Sequence, residues 1–448
     1  MAADHRIPIR LRLGQGLATA QELMAVAGIS QPTLSRVLAA LGDDVLRLGA
    51  ARARRYALRD PHRGPGAVPV HRVDPHGQLS LLGHLSPVCP EGYVMRQTDG
   101  TLLHSEGLPW WLLDMRPQGF LGRAFAARHA AALGLPPSLA DWSDHDALRA
   151  LQAQGHDAVG NLLLGDAART AFLARPEAAP LPRAGQGRRF AELARQAAQG
   201  ELPGSSAGGE QPKFTTWAET PDGPAHLIVK FSLPDDNPIT QRWRDLLLAE
   251  HHALRLIAEA GWPAARSHVV DHRGQRFLAV ERFDRVGPHG RRAILSLAAL
   301  DAEFVGAGAA PWPAIVERLC ALRVVHPDAL PQSQRLHALG TLIGNTDMHT
   351  GNLAFVTEEG RPYRLAPAYD VLPMGLAPRA SGAVADTLPP LTLRPEVPNA
   401  VWHEALPLAR EYLTRLQAEP RLSAAFAPAL RALEERVQAA AVTMERLG

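Results

Sequence analysis

Asp347, His349 and Asn352 lie close together in the stretch LIGNTDMHTGNLAF, residues 342–355. Asn occurs five times in 448 residues, and two of these, Asn345 and Asn352, fall inside this stretch, which marks their side chains as needed there. In the spacing D-x-x-x-x-N the carboxylate can accept the proton of a reacting hydroxyl while the amide oxygen holds a divalent cation. A second acid, Asp370 in PAYD, follows a predicted hairpin built from LAFV, a turn at TEEGRP, and YRLA. Mg²⁺ takes hard oxygen ligands, with phosphates and water completing its shell, and Asn352 with Asp370 supplies a suitable protein pair. His349 has no second His beside it in the loop and reads first as a hydrogen-bonding residue. It also stands among the nucleotide-binding candidates.

Cation usage points the same way. Of 47 basic residues only two are lysines, Lys213 and Lys230. A chain that meets every other need for positive charge with Arg requires a compact ammonium at these positions, as a phosphate in a narrow site does. Lys213 closes ELPGSSAGGEQPKF (201–214), where Gly204, Gly208 and Gly209 surround Ser205 and Ser206. Glycines let backbone N–H groups approach an anion closely, although the spacing is not that of a Walker loop. Lys230 ends the apolar run HLIVKF, and a buried lysine needs a partner.

The elements that position these groups follow from local pattern. Asn237 and Pro238 open a helix to about residue 260, whose buried stripe is Trp243, Leu246, Leu247, Leu254 and Ile257. Glu250 sits at the centre of that stripe, so it needs a cation, and Lys230 is the expected partner. RFLAVERFDR (276–285) reads as a strand running into a polar segment, in which Arg282, Asp284 and Arg285 could form surface pairs.

Hydrophobic content of 46% with 21% charged residues is globular usage, and no apolar run is long enough to span a membrane. Cys89 and Cys320 are too few and too far apart for a disulfide framework or cysteine metal cluster, and a reducing cytoplasm is expected. Residues 1–63 hold ten Arg against five acids, an excess that points to nucleic acid. Within 18–60, Thr19 caps a helix ending at Gly28 and Ser30 caps a second with Pro32 in its first turn. Gln31, Thr33, Ser35 and Arg36 face outward as groove readers, and Arg52, Arg54 and Arg55 form a basic tip suited to phosphates, with a nucleoid-associated location as one consequence. The alternative is a helical docking module solvated by its arginines. The predicted organisation is a winged helix-turn-helix over 1–62, a Pro/Gly-rich linker at 63–77, a mixed N-lobe over 78–283 and a mainly helical C-lobe over 284–448. Residue types alone show no chemistry in 78–175.

SSAGGEQPK, VKF, VERFDR, GNTDMHTGN and YDVLP, in this order, resemble the HipA family of bacterial serine/threonine kinases of toxin type over roughly residues 75–440. With a DNA-binding module on the same chain, the sequence is most similar to the single-chain YjjJ-like branch. The resemblance implies an α+β, two-lobed kinase-like fold that uses ATP and Mg²⁺ to phosphorylate a protein, with the translation machinery as a candidate target. It implies Asp347 as catalytic base, Lys230 with Glu250 at the phosphates, Asn352 and Asp370 as Mg²⁺ ligands, and Glu281 and Phe283 as the hinge. It places autophosphorylation at Ser206 or its neighbour Ser205, in a loop whose Gly208, Gly209 and Lys213 meet ATP. Two residues depart from the pattern: Gly351 stands where the family often carries Lys, and Met348 replaces a commonly small residue. The family's DNA-binding antitoxin is usually a separate chain, so the fused module leaves a separate antitoxin partner open. A small-molecule phosphotransferase and a nucleotide-sensing transcriptional regulator with an inert kinase body are the competing readings.

Overall fold

In the computed structural model, which describes residues 4–49, 53–64, 66–176, 178–198, 211–379 and 381–447, Thr19 opens its helix as the sequence requires. Its hydroxyl accepts from the Glu22 N–H at 3.2 Å while the Glu22 carboxylate accepts from the Thr19 N–H at 2.7 Å. Helices α1 (Arg6–Gly14), α2 (Ala20–Ala27) and α3 (Gln31–Leu41) pack with strands β1 (Ala18–Thr19), β2 (Val45–Leu48) and β3 (Arg55–Leu58), whose sheet order is β1-β3-β2. Gly28, at φ 63°, turns the chain between α2 and α3. Ser30 departs from expectation: its side chain makes no cap to α3 and meets the Thr33 hydroxyl instead, at 3.2 Å. Leu23, Leu34, Leu38 and Leu41 close this core over Ile9, Leu13 and Tyr56.

The middle body has five antiparallel strands, β4 (Val68–Val73), β5 (Leu79–Pro87), β6 (Tyr93–Gln97), β7 (Leu102–Ser105) and β8 (Leu162–Leu164), in the order β7-β6-β5-β4-β8. Helices α4 (Gly119–Leu133), α5 (Asp144–Gln154) and α6 (Gly165–Leu173) accompany them. Here the linker expected at 63–77 is corrected, because β4 lies inside it with Val70 and Val73 fully buried. Pro69 is tolerated since β8 pairs only with Val70, His71 and Arg72, so no ladder on that side needs its missing N–H.

The expected N-lobe over 78–283 therefore contains two sheets. The second consists of β9 (Lys213–Thr220), β10 (Gly223–Phe231), β11 (Ser267–His272) and β12 (Gln275–Glu281), ordered β11-β12-β10-β9, with helices α7 (Gln186–Ala198) and α8 (Pro238–Glu259). Its core is Phe190, Phe214, Phe231 and Phe277, joined by Phe120 from α4 of the middle body. Asn237 caps α8 through both the Ile239 and Thr240 N–H groups at 3.0 Å, and Leu246, Leu247, Leu254 and Ile257 are buried as the periodicity requires.

The remainder is mainly helical. A short ribbon of β13 (Arg285–Val286) and β14 (Gly290–Arg291) leads to β15 (Ile294–Ser296), which pairs with the expected hairpin β16 (Ala354–Val356) and β17 (Arg364–Leu365). Around them stand α9 (Leu297–Phe304), α10 (Trp312–Ala321), α11 (Ala329–Leu342), α12 (Asn399–Ala418) and α13 (Ala427–Leu447). The largest apolar cluster joins α8 to this part through Leu246, Leu254, Leu342, Phe355, Trp402 and Tyr412. Among the described residues no helix is long and apolar enough to cross a membrane.

Burial holds His226, His251 and His337 neutral, lowering each from 6.5 to about 4. Between those values the unfolded chain binds more protons than the folded one, so stability falls as the pH falls from 6.5 toward 4. Thermal unfolding followed across that window should show a declining midpoint, with a shallower decline in the His251→Gln, His337→Gln double variant.

Candidate active site

Strand β10 carries Lys230 into the interior, where 6% of it is exposed, and α8 brings Glu250 against it with no exposure at all. The ammonium donates to both Glu250 oxygens, at 2.6 and 2.7 Å. It also donates to Asp370 Oδ1, so one lysine joins the sheet, the helix and the segment after β17. Asp370 sits at φ 53°, a left-handed conformation uncommon for a non-glycine residue, and its carbonyl accepts from Asn345 Nδ2 at 3.4 Å. Burial alone would depress the lysine, but Asp370 and Glu250 outweigh it and hold its pKa above the ordinary value. For Asp370 burial is likewise outweighed, here by Lys230 and then Lys213, and its carboxyl is held low. Burial raises Glu250, against the pull of Lys230.

Lys213 and Lys230, the two lysines of the chain, are directly opposite each other on β9 and β10. Residues opposite in an antiparallel pair share a face, and like charges so placed repel. The arrangement is stable where anions surround it, and the carboxylates of Glu250 and Asp370 act on both lysines.

The loop after α11 is built from its own polar groups. Gly344, at φ 77°, allows the turn, and a Cβ there would approach Leu388 to 2.6 Å. Asn345 Oδ1 accepts from the Asp347 N–H at 3.0 Å, and Asn352 Nδ2 donates to the Asp347 carbonyl at 2.8 Å and to its carboxylate at 3.4 Å. With Nδ2 so engaged, Oδ1 is the atom Asn352 can offer a cation. His349 closes its own turn: Nδ1 accepts from the Gly351 N–H at 3.0 Å, and its carbonyl accepts from Trp312 Nε1 at 2.9 Å. The hydrogen-bonding role expected of His349 is thus what the fold provides, with Nε2 3.8 Å from Asp347 Oδ1. Burial raises the Asp347 carboxyl, His349 lowers it and Asp370 raises it again, so 347 and 370 lie within electrostatic reach of each other and of Lys230.

The two departures from the family pattern have local reasons. A Cβ on Gly351 would meet the His349 ring at 2.9 Å, so His349 occupies the space a longer residue would need. Met348 lies over Gly340, where a Cβ would come within 2.6 Å of its sulfur.

At the end of β12, Glu281 accepts from the Thr220 hydroxyl at 3.0 Å and pairs with Arg266 at 3.3 Å. The Phe283 ring lies 5.6 Å from that of Tyr369, whose hydroxyl donates to the Gly351 carbonyl at 2.7 Å. Arg282, Asp284 and Arg285, considered as surface pairs, are buried instead, because Asp157 and backbone carbonyls of the middle body enclose them. Gly208, Gly209, Ser205, Ser206 and Arg52 lie outside the described residues. Gln31, Ser35, Arg36, Arg54 and Arg55 are exposed and Thr33 is half-buried, all far in the chain from this centre. Sequence reasoning missed Tyr369 and Arg242 as supports. Arg242 lies on α8 and holds the Leu376 and Ala385 carbonyls at 2.9 and 2.7 Å, fixing the segment beyond Asp370. The signal for Asn345 was present in the scarcity of Asn.

Residues 65–173 match the YjjJ-like toxin middle domain, and residues 205–439 match the HipA-like C-terminal domain. Toxin YjjJ of Escherichia coli K12 is 38% identical over 97% of this chain and 98% of its own length. The chain belongs to the YjjJ-like branch of the HipA-like toxins. A chain of the solved Shewanella oneidensis MR-1 toxin–antitoxin complex of HipA, HipB and operator DNA superposes at a TM-score of 0.54 with 17% identity, covering 85% of this chain and 97% of that one. The HipA fold is therefore shared. The Helicobacter pylori proinflammatory kinase CtkA aligns over 53% of this chain and 93% of its own at a TM-score of 0.38 with 13% identity, too distant to argue from.

In this HipA-like toxin, removing Lys230 leaves Glu250 buried without its cation. Lys230→Met should destabilise the fold by about 3 kcal/mol, and adding Glu250→Met should recover much of that loss, as measured by urea unfolding.

Proposed function

We propose that this HipA-like toxin is an ATP- and Mg²⁺-dependent protein serine/threonine kinase with a DNA-binding module on the same chain. The observation that carries the reading is the convergence of Lys230, Glu250 and Asp370 beside the Asp347–Asn352 loop. Near the lysine stand three carboxylates, those of Glu250, Asp370 and Asp347, a charge balance suited to a divalent cation and a polyphosphate together. Asn352 and Asp370 would offer the hard oxygen donors that Mg²⁺ takes, a cation that keeps phosphate and water in its shell. When bound, the cation would supply positive charge that neutralises the phosphates.

The residues of the chain then have separate tasks. Lys230, held by Glu250, orients the phosphates, and Lys213 opposite it adds a second ammonium on the same face. Glu281 and Phe283 flank the adenine as the hinge, and His349 borders the nucleotide through the loop it closes. Asp347 accepts the proton of the acceptor hydroxyl as the new O–P bond forms at the γ-phosphorus and the bond to the bridging oxygen breaks, releasing ADP. Its raised pKa suits a base that must take up a proton. Autophosphorylation falls on Ser206, with Ser205 its rival, and would add about −1.5 to −2 charges beside the nucleotide loop.

The N-terminal body is read as a winged helix-turn-helix. Exposed Gln31, Ser35 and Arg36, with Thr33, stand at the start of α3 as groove readers, and the arginines at 52, 54 and 55 are the candidates for phosphate contacts, of which Arg54 and Arg55 are exposed. The Shewanella complex contains HipB with HipA on operator DNA. Here an antitoxin would act in addition to a DNA contact already fused to the chain. The site does not choose a protein target, and one in the translation machinery rests on the family resemblance alone.

With purified protein, labelled ATP and Mg²⁺, Asp347→Ala should reduce phosphate transfer by at least about a hundredfold while the melting profile is kept; full activity in that variant would end the kinase reading. For DNA, the Arg54→Ala, Arg55→Ala double variant should weaken binding across all sequences and lower the slope of log K against log salt by about 1 for each phosphate no longer neutralised. Gel-shift titrations at several salt concentrations give that slope, and an unchanged slope removes those arginines from the interface.

A further inference from the structure

Immediately after β12 the chain sends Arg282, Asp284, Arg285 and Arg291 into the interior, and their partners lie on the middle body. Arg285 donates to the Gly160, Asp157 and Ala158 carbonyls at 3.0, 3.3 and 2.8 Å and to Asp157 Oδ1 at 3.1 Å. Asp284 Oδ2 accepts from the Gly160 N–H at 3.1 Å, and Arg291 donates to the His156 carbonyl. Arg282 reaches Asp157 Oδ1 at 3.5 Å, and Arg175 holds the same oxygen at 3.1 Å.

The charge balance makes one of these groups decisive. The β13–β14 ribbon places Arg285 directly opposite Arg291, an unfavourable like-charge pair. Two carboxylates, Asp157 and Asp284, serve the guanidiniums of Arg175, Arg282, Arg285 and Arg291. Asp284 travels with the ribbon itself. Asp157, more than a hundred residues earlier, is the carboxylate that the middle body contributes. Without it, buried arginines with 2% and 5% of their side chains exposed lose a counter-charge, and the ribbon is held to the middle body by backbone contacts and Asp284 alone.

That place matters because the ribbon begins where the nucleotide hinge ends. Phe283 lies between Arg282 and Asp284, and its ring touches Tyr369, which in turn holds the Gly351 carbonyl next to Asn352. A shift at 282–285 therefore reaches both the adenine edge and the metal-binding loop. We propose that Asp157 is a positioning residue through which the middle body sets the nucleotide hinge, so that nucleotide affinity depends on a domain remote from the phosphates. The inference rests on the reading of residues 281–283 as that hinge.

The test is the dissociation constant of ATP with Mg²⁺, by calorimetry on the full chain, well below its melting temperature. Asp157→Asn is expected to raise it by about tenfold or more, and Asp157→Glu, which keeps the charge, to recover most of the loss. If Asp157→Asn does not fold, Arg285→Lys keeps the charge but gives up the forked hydrogen bonds to three carbonyls and is expected to weaken nucleotide binding in the same way. A lowered melting temperature with unchanged nucleotide affinity would make Asp157 merely structural and overturn the inference, leaving the kinase reading intact. Failure of the unmutated chain to bind nucleotide would overturn both.

Discussion

The contact on which the rest of the site depends is the ammonium of Lys230, buried between Glu250 and Asp370. A charge taken from water needs close partners, and here the lysine and its two partners come from three places in the chain: strand β10, helix α8 and the segment after β17. Each is held independently. β10 lies inside its sheet between β9 and β12, α8 is capped by Asn237 and buried along its stripe, and the Asp370 segment is tied to α8 again by Arg242. The ion pair thus sets the register of elements whose own folding is driven by apolar burial. Burial provides the stability and the charges specify the arrangement.

The same division holds one layer out. The middle body is a separate antiparallel sheet with its own core, yet its α4 places Phe120 in the aromatic cluster beneath the second sheet, with the Phe231 ring 6.3 Å away. Its Asp114 accepts from the Ser296 N–H at 2.6 Å, at the start of α9, and Trp110 meets Phe304 edge-on at 5.3 Å. Together with the Asp157 network these contacts brace both lobes from outside the site. The N-terminal body is continuous with it, since Leu46, Leu48 and Ala57 share an apolar cluster with Val88 and Val94. The middle body therefore packs both on the N-terminal body and on the segment of residues 282–291.

What could be read from the sequence was whatever stood out from its background. Asn is scarce, so Asn352 drew attention; Lys is scarcer still, and both lysines proved to be cross-strand partners. Glu250 was legible because an acid on an apolar stripe contradicts its neighbours. Asp157, Arg282 and Arg285 were not, because in a chain this rich in Arg one more ion pair carries no signal, and their burial depends on a sheet distant in sequence. Strand β4 was hidden by the Pro and Gly around it, and its buried valines, Val70 and Val73, lack the two-residue period that marks a strand. Ser30 had the right residue type for a cap, but Thr33 competes for its hydroxyl. The misreadings share a cause: each turned on a partner supplied by another part of the chain or on competition between neighbouring groups.

The two kinds of cation also divide the work by shape. Arg285 gathers four backbone carbonyls and two carboxylates within a planar fork, a set of contacts that three ammonium hydrogens cannot satisfy. Lys230 does the reverse: its slender stem passes between a strand and a helix and ends in a point charge that several oxygens can share. An arginine there would bring a planar fork with fixed bonding directions in place of a point charge that Glu250 and Asp370 share. The contact between the middle body and the β13–β14 ribbon is thus made with Arg, whereas the charge shared by Glu250 and Asp370 is that of a Lys. Both lysines of the chain stand on one face, where β9 and β10 set them opposite each other beside the carboxylates of Glu250 and Asp370.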